Sequence, residues 1–167
     1  MKEKIQQFFL PFLIIAAILF QFTALASNSD SNVLICWGLK RADNHNQPTL
    51  DKNSLEVLNK YNGIAMGNSD KNYIYLTFDL GYEAGYTAKI LDVLKENKVT
   101  AVFFITGHYL NSQPDLVKRM IEEGHIVGNH TVNHKSLNNL SDDEIKNEIM
   151  KLHNSLYEKF RIWNDLF

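Results

Sequence analysis

The sequence predicts an α/β fold built on a parallel sheet, and two observations carry that expectation. Apolar strand-like runs alternate with amphipathic helical stretches in the order βαβαβα between residues 72 and 160, the pattern of parallel strands joined by right-handed crossovers. The middle strand run, Thr100-Ala101-Val102-Phe103-Phe104-Ile105, is nearly all apolar, as a strand covered on both faces should be.

The elements follow in order. Lys2 and Lys4 precede an apolar run from Phe8 to Phe20 broken only by Pro11, and Ala24-Leu25-Ala26 offers small residues at a cleavage site. Residues 1–26 are therefore expected to be a secretory signal peptide, or an uncleaved anchor helix; either places the domain in the secreted or cell-envelope space, outside the cytoplasmic membrane. Residues 27–70 are polar and poorly periodic, an extended N-terminal arm with a short helix over Ser54–Tyr61. Residues 71–167 hold the domain. Tyr73–Phe78 is rich in aromatic and β-branched residues and is expected as the first strand, with Thr87–Asn97 as the first helix after it. The second strand, Thr100–Ile105, leads to a helix opened by Pro114, striped by Leu116, Val117, Met120 and Ile121, and stopped by Gly124. His125–Asn129 is the third strand, and Ser141 with Glu144 forms a capping box for a last helix to about Glu158.

Composition narrows the function classes. The chain has 167 residues, 45% of them hydrophobic and 22% charged, a globular balance rather than that of a disordered or multi-span membrane protein. Without residues 1–26, 141 remain, enough for one domain and too few for a two-domain enzyme; a complete α/β barrel usually takes about 200 or more. With Lys2, Glu3 and Lys4 in the signal, the remainder carries 15 basic and 18 acidic residues. No basic excess exists to neutralise a phosphate backbone, so nucleic acid is excluded as the expected partner. Cys36 is the only cysteine, so no disulfide can form within the chain. Ile35 before it is not the small residue that a lipid-anchored cysteine would need. The sequence leaves the oligomeric state open.

Loops after the strand C-termini carry the chemistry in parallel α/β folds, which directs attention to Asp79–Tyr86, Thr106–Gln113 and Asn129–Asn139. Asp79, placed after the first strand, could act as a general base on a nearby proton donor, or simply cap the following turn. His130 and His134 are spaced to share one face of a helical turn and bind a single metal; the alternative is two polar loop histidines. No Glu follows the first of them, which removes the zinc metalloprotease motif. His108 follows the second strand and could face the same cleft. His125 is expected to be structural, and His45 and His153 have no surroundings that suggest a role. The glycines of Gly81–Tyr86 make a tight strand-to-helix turn without the Lys-Ser/Thr of a P-loop.

At these residues the chain resembles the polysaccharide deacetylase family, the NodB homology domain. That family has Thr-Phe-Asp-Asp after the first strand and His-(Ser/Thr)-x-x-His after the third, matched here by Thr77-Phe78-Asp79-Leu80 and His130-Thr131-Val132-Asn133-His134. Trp37-Gly38, Gly81-Tyr82-Glu83 and Thr106-Gly107-His108 make it more similar to the delta-lactam-biosynthetic peptidoglycan de-N-acetylases of spores. The likeness runs from about Trp37 to Phe160. It implies the N-terminal part of a deformed (β/α) barrel. It also implies a hydrolase of carbon–nitrogen bonds other than peptide bonds, which removes N-acetyl groups from the N-acetylmuramic acid of a peptidoglycan glycan strand. In that reading a divalent metal, zinc in the first instance, is held by His130 and His134, and Asp79 is the catalytic base. Two departures stand out. The family's usual third metal ligand is replaced by Leu80, as tends to happen in the similar subgroup, which implies weakly held metal. No proline follows Pro114, so the family's Arg-Pro-Pro motif does not occur. This implies a partial domain, cut short by an early stop or frameshift. The alternative function is a catalytically inactive remnant or a carbohydrate-binding module of the same fold.

Overall fold

A computed structural model describes Leu34 and residues 38–162. The expected signal at residues 1–26, Cys36 and Trp37 lie outside the described residues. Within the arm, Lys40 and Thr49 form an antiparallel bridge, and Leu50 is buried. Helix α1 spans Lys52–Lys60. It starts two residues before the expected Ser54 because Asp51 is the N-cap, its carboxylate accepting from the Ser54 amide at 3.0 Å.

Three parallel strands follow in the order β1-β2-β3: β1 Thr77–Leu80, β2 Val102–Ile105 and β3 Ile126–Asn129. Between and after them lie α2 (Thr87–Glu96), α3 (Gly107–Ser112), α4 (Pro114–Glu122) and α5 (Asp142–Phe160). The parallel α/β architecture expected from the sequence is observed. Among the described residues no helix is long and apolar enough to cross a membrane.

The first strand differs from its expectation. Tyr73, Ile74 and Tyr75 are exposed and precede the ladder, which pairs Thr77 with Val102 and Leu80 with Ile105. A strand exists only where a partner lies alongside, and β2 supplies one only from Val102 onwards. Asp79 therefore lies inside β1 rather than after it, on the sheet face opposite Phe78 and Leu80.

The core lies on one side of the sheet. Phe103 and Ile105 are fully buried and Val127 nearly so, clustered with Leu91, Leu94, Val117, Met120, Leu152 and Leu156 from the helices. Each such side chain contributes about 1.5–3 kcal/mol of burial. Phe78 stacks on Phe103 with ring centroids 5.0 Å apart. The expectation that β2 is covered on both faces does not hold among the described residues: Val102 and Phe104 are half-buried, while Thr77, Asp79 and Ile126 on the same face are exposed. The helices cover the Phe103 face and leave the Asp79 face open.

Helix ends follow their chemistry. The segment expected as a loop after β2 holds α3, capped by Thr106, whose hydroxyl accepts from the Tyr109 amide at 3.2 Å. Pro114 stands in the first turn of α4, and Gly124 follows that helix at φ +81°, where a side chain would be strained. The Ser141–Glu144 capping box is present, and α5 runs to Phe160. His125, just before β3, is buried. Its Nδ1 accepts from the Ala101 amide at 3.3 Å, its ring meets Phe103 edge-on, and burial holds its pKa below the ordinary value. It is structural, as expected.

Candidate active site

The C-terminal ends of the three strands open into a cavity of about 860 Å³ whose lining includes Asp79, Tyr82, His108, His130, Asn133 and His134. All three sequence-derived site residues, Asp79, His130 and His134, thus share one cavity, and His108 joins them. His45 is exposed in the arm and His153 is buried on α5; neither lines the cavity.

Asp79 reaches the cavity because it is a strand residue on the open face of the sheet. His130 and His134 come together differently from the expected helical turn. They belong to an irregular loop after β3, with Thr131 at φ +63° and His134 at φ +52°. Two non-glycine residues in the left-handed region fold the loop back on itself and set the imidazole centroids 4.6 Å apart at an interplanar angle of 56°.

Side chains outside the sequence motifs help to hold this loop. Asn129, buried at the end of β3, accepts from the Thr131 amide and donates to the Ile149 carbonyl, both at 2.9 Å. Thr131 Oγ1 accepts from the His134 amide at 3.0 Å. Glu148, only 6% exposed on α5, accepts from the Asn133 amide at 2.8 Å and from Asn133 Nδ2 at 2.7 Å. Burial opposes the ionisation of Glu148, but the two Asn133 donors and the Lys135 ammonium at 3.7 Å together hold its carboxyl below the usual range. One signal of this role was available in the sequence: Glu148 stands four residues before Leu152 and eight before Leu156, which puts a carboxylate on the apolar stripe of α5. Gly107 meets the same loop from α3, its amide donating to the Thr131 and Val132 carbonyls at 3.1 Å each. A Cβ at Gly107 would lie 3.0 Å from the Val132 carbonyl oxygen, a tight approach that glycine makes without displacing the loop.

Glu83 orders the other side of the cavity. Its carboxylate accepts from the Gly85 amide at 2.6 Å and the Thr87 amide at 3.2 Å, capping α2, and from the Tyr109 hydroxyl at 2.8 Å. The Thr87 side chain first, then the Tyr109 hydroxyl and the two amides, lower its pKa to about 2. Burial raises the Tyr109 phenol above its ordinary value.

The donor set fits a divalent ion in part. Two imidazoles at this separation can face one ion from the same side, and imidazole suits zinc and its neighbours. Among the described residues no group of three or more His, Cys, Asp or Glu side chains converges on one point. Leu80 packs against the core cluster instead of supplying a third donor.

Comparisons with known proteins agree with this geometry. A family model described as polysaccharide deacetylase matches residues 66–163. The chain is 43% identical over 143 residues to the peptidoglycan-N-acetylmuramic acid deacetylase PdaA of Bacillus subtilis, covering 86% of this chain and 54% of that protein. It is 52% identical over 132 residues to an uncharacterized 30.6 kDa protein of Geobacillus stearothermophilus, covering 79% of this chain and 50% of that one. The solved structure of Bacillus subtilis PdaA, described as a family 4 carbohydrate esterase, superimposes with a TM-score of 0.77 at 44% identity, over 81% of this chain and 58% of that one. The chain spans about half the length of the curated relatives it matches. Strand order, site position and the match over residues 66–163 converge: the chain belongs to the polysaccharide deacetylase family.

Proposed function

We propose that this chain takes part in hydrolytic removal of N-acetyl groups from peptidoglycan amino sugars, with N-acetylmuramic acid as the sugar. The observation that carries the reading is the meeting of Asp79, His130 and His134 in one cavity of a polysaccharide deacetylase fold. The relative PdaA, named for action on that sugar, supports the choice of substrate.

His130 and His134 would hold a divalent ion, zinc by the preference of imidazole donors, and the bound ion supplies Lewis-acid polarisation of the acetamide carbonyl and of water. The protein's own side chains do the rest. Asp79, on the open sheet face, accepts the proton of the attacking water as that water adds to the acetamide carbon. Cleavage of the carbon–nitrogen bond, with that proton passed on to the leaving nitrogen, then gives acetate and a free amine on the sugar. On muramic acid that amine stands near the lactyl carboxylate, and their condensation with loss of water gives the delta-lactam of spore cortex. The apolar run and small residues of 1–26 support a cell-envelope or secreted location, where peptidoglycan lies.

A second reading has its own support. Among the described residues the donor set is one side chain short of the three protein ligands usual for catalytic zinc; such a set would hold the ion weakly and, where the ion is lost, bind glycan without turnover. An acetate-release assay on muramoyl glycan, with and without added zinc, separates the two. Metal-dependent release that Asp79→Asn abolishes supports hydrolysis. Glycan binding with no release at any metal concentration supports the binding module.

A further inference from the structure

We infer that Tyr82 and His108 form a stacking platform for a pyranose ring of the glycan, a sugar subsite beside the reacting groups. The inference rests on the proposed function above. Tyr82 is 80% exposed, yet the backbone on both sides of it is anchored. On one side the Gly81 carbonyl accepts from the Thr106 hydroxyl at 3.4 Å. On the other, Glu83 caps α2 and accepts from the buried Tyr109 hydroxyl at 2.8 Å. The exposure of the ring is therefore not that of a loose loop. Thr106 and Tyr109 also belong to the cap and first turn of α3, the turn that carries His108. The same contacts thus position the backbone that carries both rings, whose centroids lie 4.5 Å apart at 46°.

That arrangement presents a large exposed ring from an anchored backbone, with His108 the aromatic ring it leans on, at the wall of the cavity that Asp79, His130 and His134 share. An exposed aromatic side chain gains most from a partner that is apolar on one face and polar at its edge, and a pyranose has that character: ring C–H bonds on its faces, hydroxyls around it. Tyrosine suits such a subsite because it has only two side-chain torsions to immobilise on binding. Tyr82 follows Asp79 by three residues, so their Cα atoms lie no more than about 11 Å apart, and both line the one cavity, within reach of the reacting sugar or its neighbour.

The test is the binding of a soluble tetrasaccharide of alternating N-acetylglucosamine and N-acetylmuramic acid, measured by titration calorimetry in an Asp79→Asn background that stops turnover. Tyr82→Ala should weaken binding about tenfold, as truncation of a central aromatic contact does, while Tyr82→Phe, which keeps the ring and loses the hydroxyl, should bind like the parent. Circular dichroism checks that both variants fold. Undiminished binding by Tyr82→Ala, or a loss in Tyr82→Phe as large as in Tyr82→Ala, overturns the platform and leaves the proposed function standing. A parent chain that neither binds the tetrasaccharide nor, with Asp79 intact, releases acetate from it overturns the proposed function and the platform with it.

Discussion

Replacing Glu148 probes how the imidazole pair is held. Its carboxylate makes two hydrogen bonds to Asn133 from a nearly buried position. Bonds to a charged group contribute about 1.5–3 kcal/mol each. Asn133 itself is exposed, so the lower end applies and the pair contributes about 3 kcal/mol. Opposing them is the backbone: Thr131 and His134 both sit at positive φ, at a cost of about 1–2 kcal/mol each for side-chain-bearing residues. The clamp is of the same size as the strain, so losing half of it should loosen the His134 end of the loop, while the Asn129, Thr131 and Gly107 bonds keep it folded. Glu148→Gln does that: its amide oxygen can still accept from one Asn133 donor, while its NH₂ faces the other. The expected result is a folded protein whose zinc affinity, read by calorimetric titration, falls by about 10–100-fold, as when ligand-orienting groups are removed elsewhere. Glu148→Ala should fall at least as far and lower the thermal midpoint as well. A Glu148→Gln protein that folds and binds zinc as the parent does would refute the clamp.

Other expectations follow from the same contacts. Because folding lowers the Glu83 pKa from 4.5 to about 2, its contribution to stability is complete above pH 4.5 and is lost as the pH falls toward about 2; urea unfolding across that range should show an acid limb that Glu83→Gln flattens. Gly107→Ala pushes a methyl against the Val132 backbone and should destabilise the fold by about 1–3 kcal/mol, measured as a shift in the urea midpoint. Ser141→Ala removes the capping box of α5 and should cost about 1 kcal/mol without changing zinc affinity. His130→Ala should abolish zinc binding outright; retained binding would show that the ion lies elsewhere.

Much of the molecule was legible without coordinates. Parallel α/β order, the Pro114 start, the Gly124 stop and the Ser141–Glu144 box depend on local chemistry, and local chemistry is written in neighbouring residues. The choice of Asp79, His130 and His134 followed from their positions near strand ends and from family resemblance, and the fold brings all three to one cavity. What the sequence could not carry depends on partners distant along the chain. Strand β1 starts later than its composition predicts: Tyr73–Leu76 has strand composition, while ladder pairing begins only at Thr77. Helix α3 has no periodic signal in the sequence, because its start depends on a single hydroxyl, that of Thr106, and its burial on Tyr109 and Leu110 meeting the core. Most of all, tertiary structure decided how the two histidines meet: a strained loop, tied to Glu148 fifteen residues beyond Asn133, replaces the helical turn their spacing suggested. A carboxylate on an apolar stripe gains its meaning only when the helix is laid against the loop it holds.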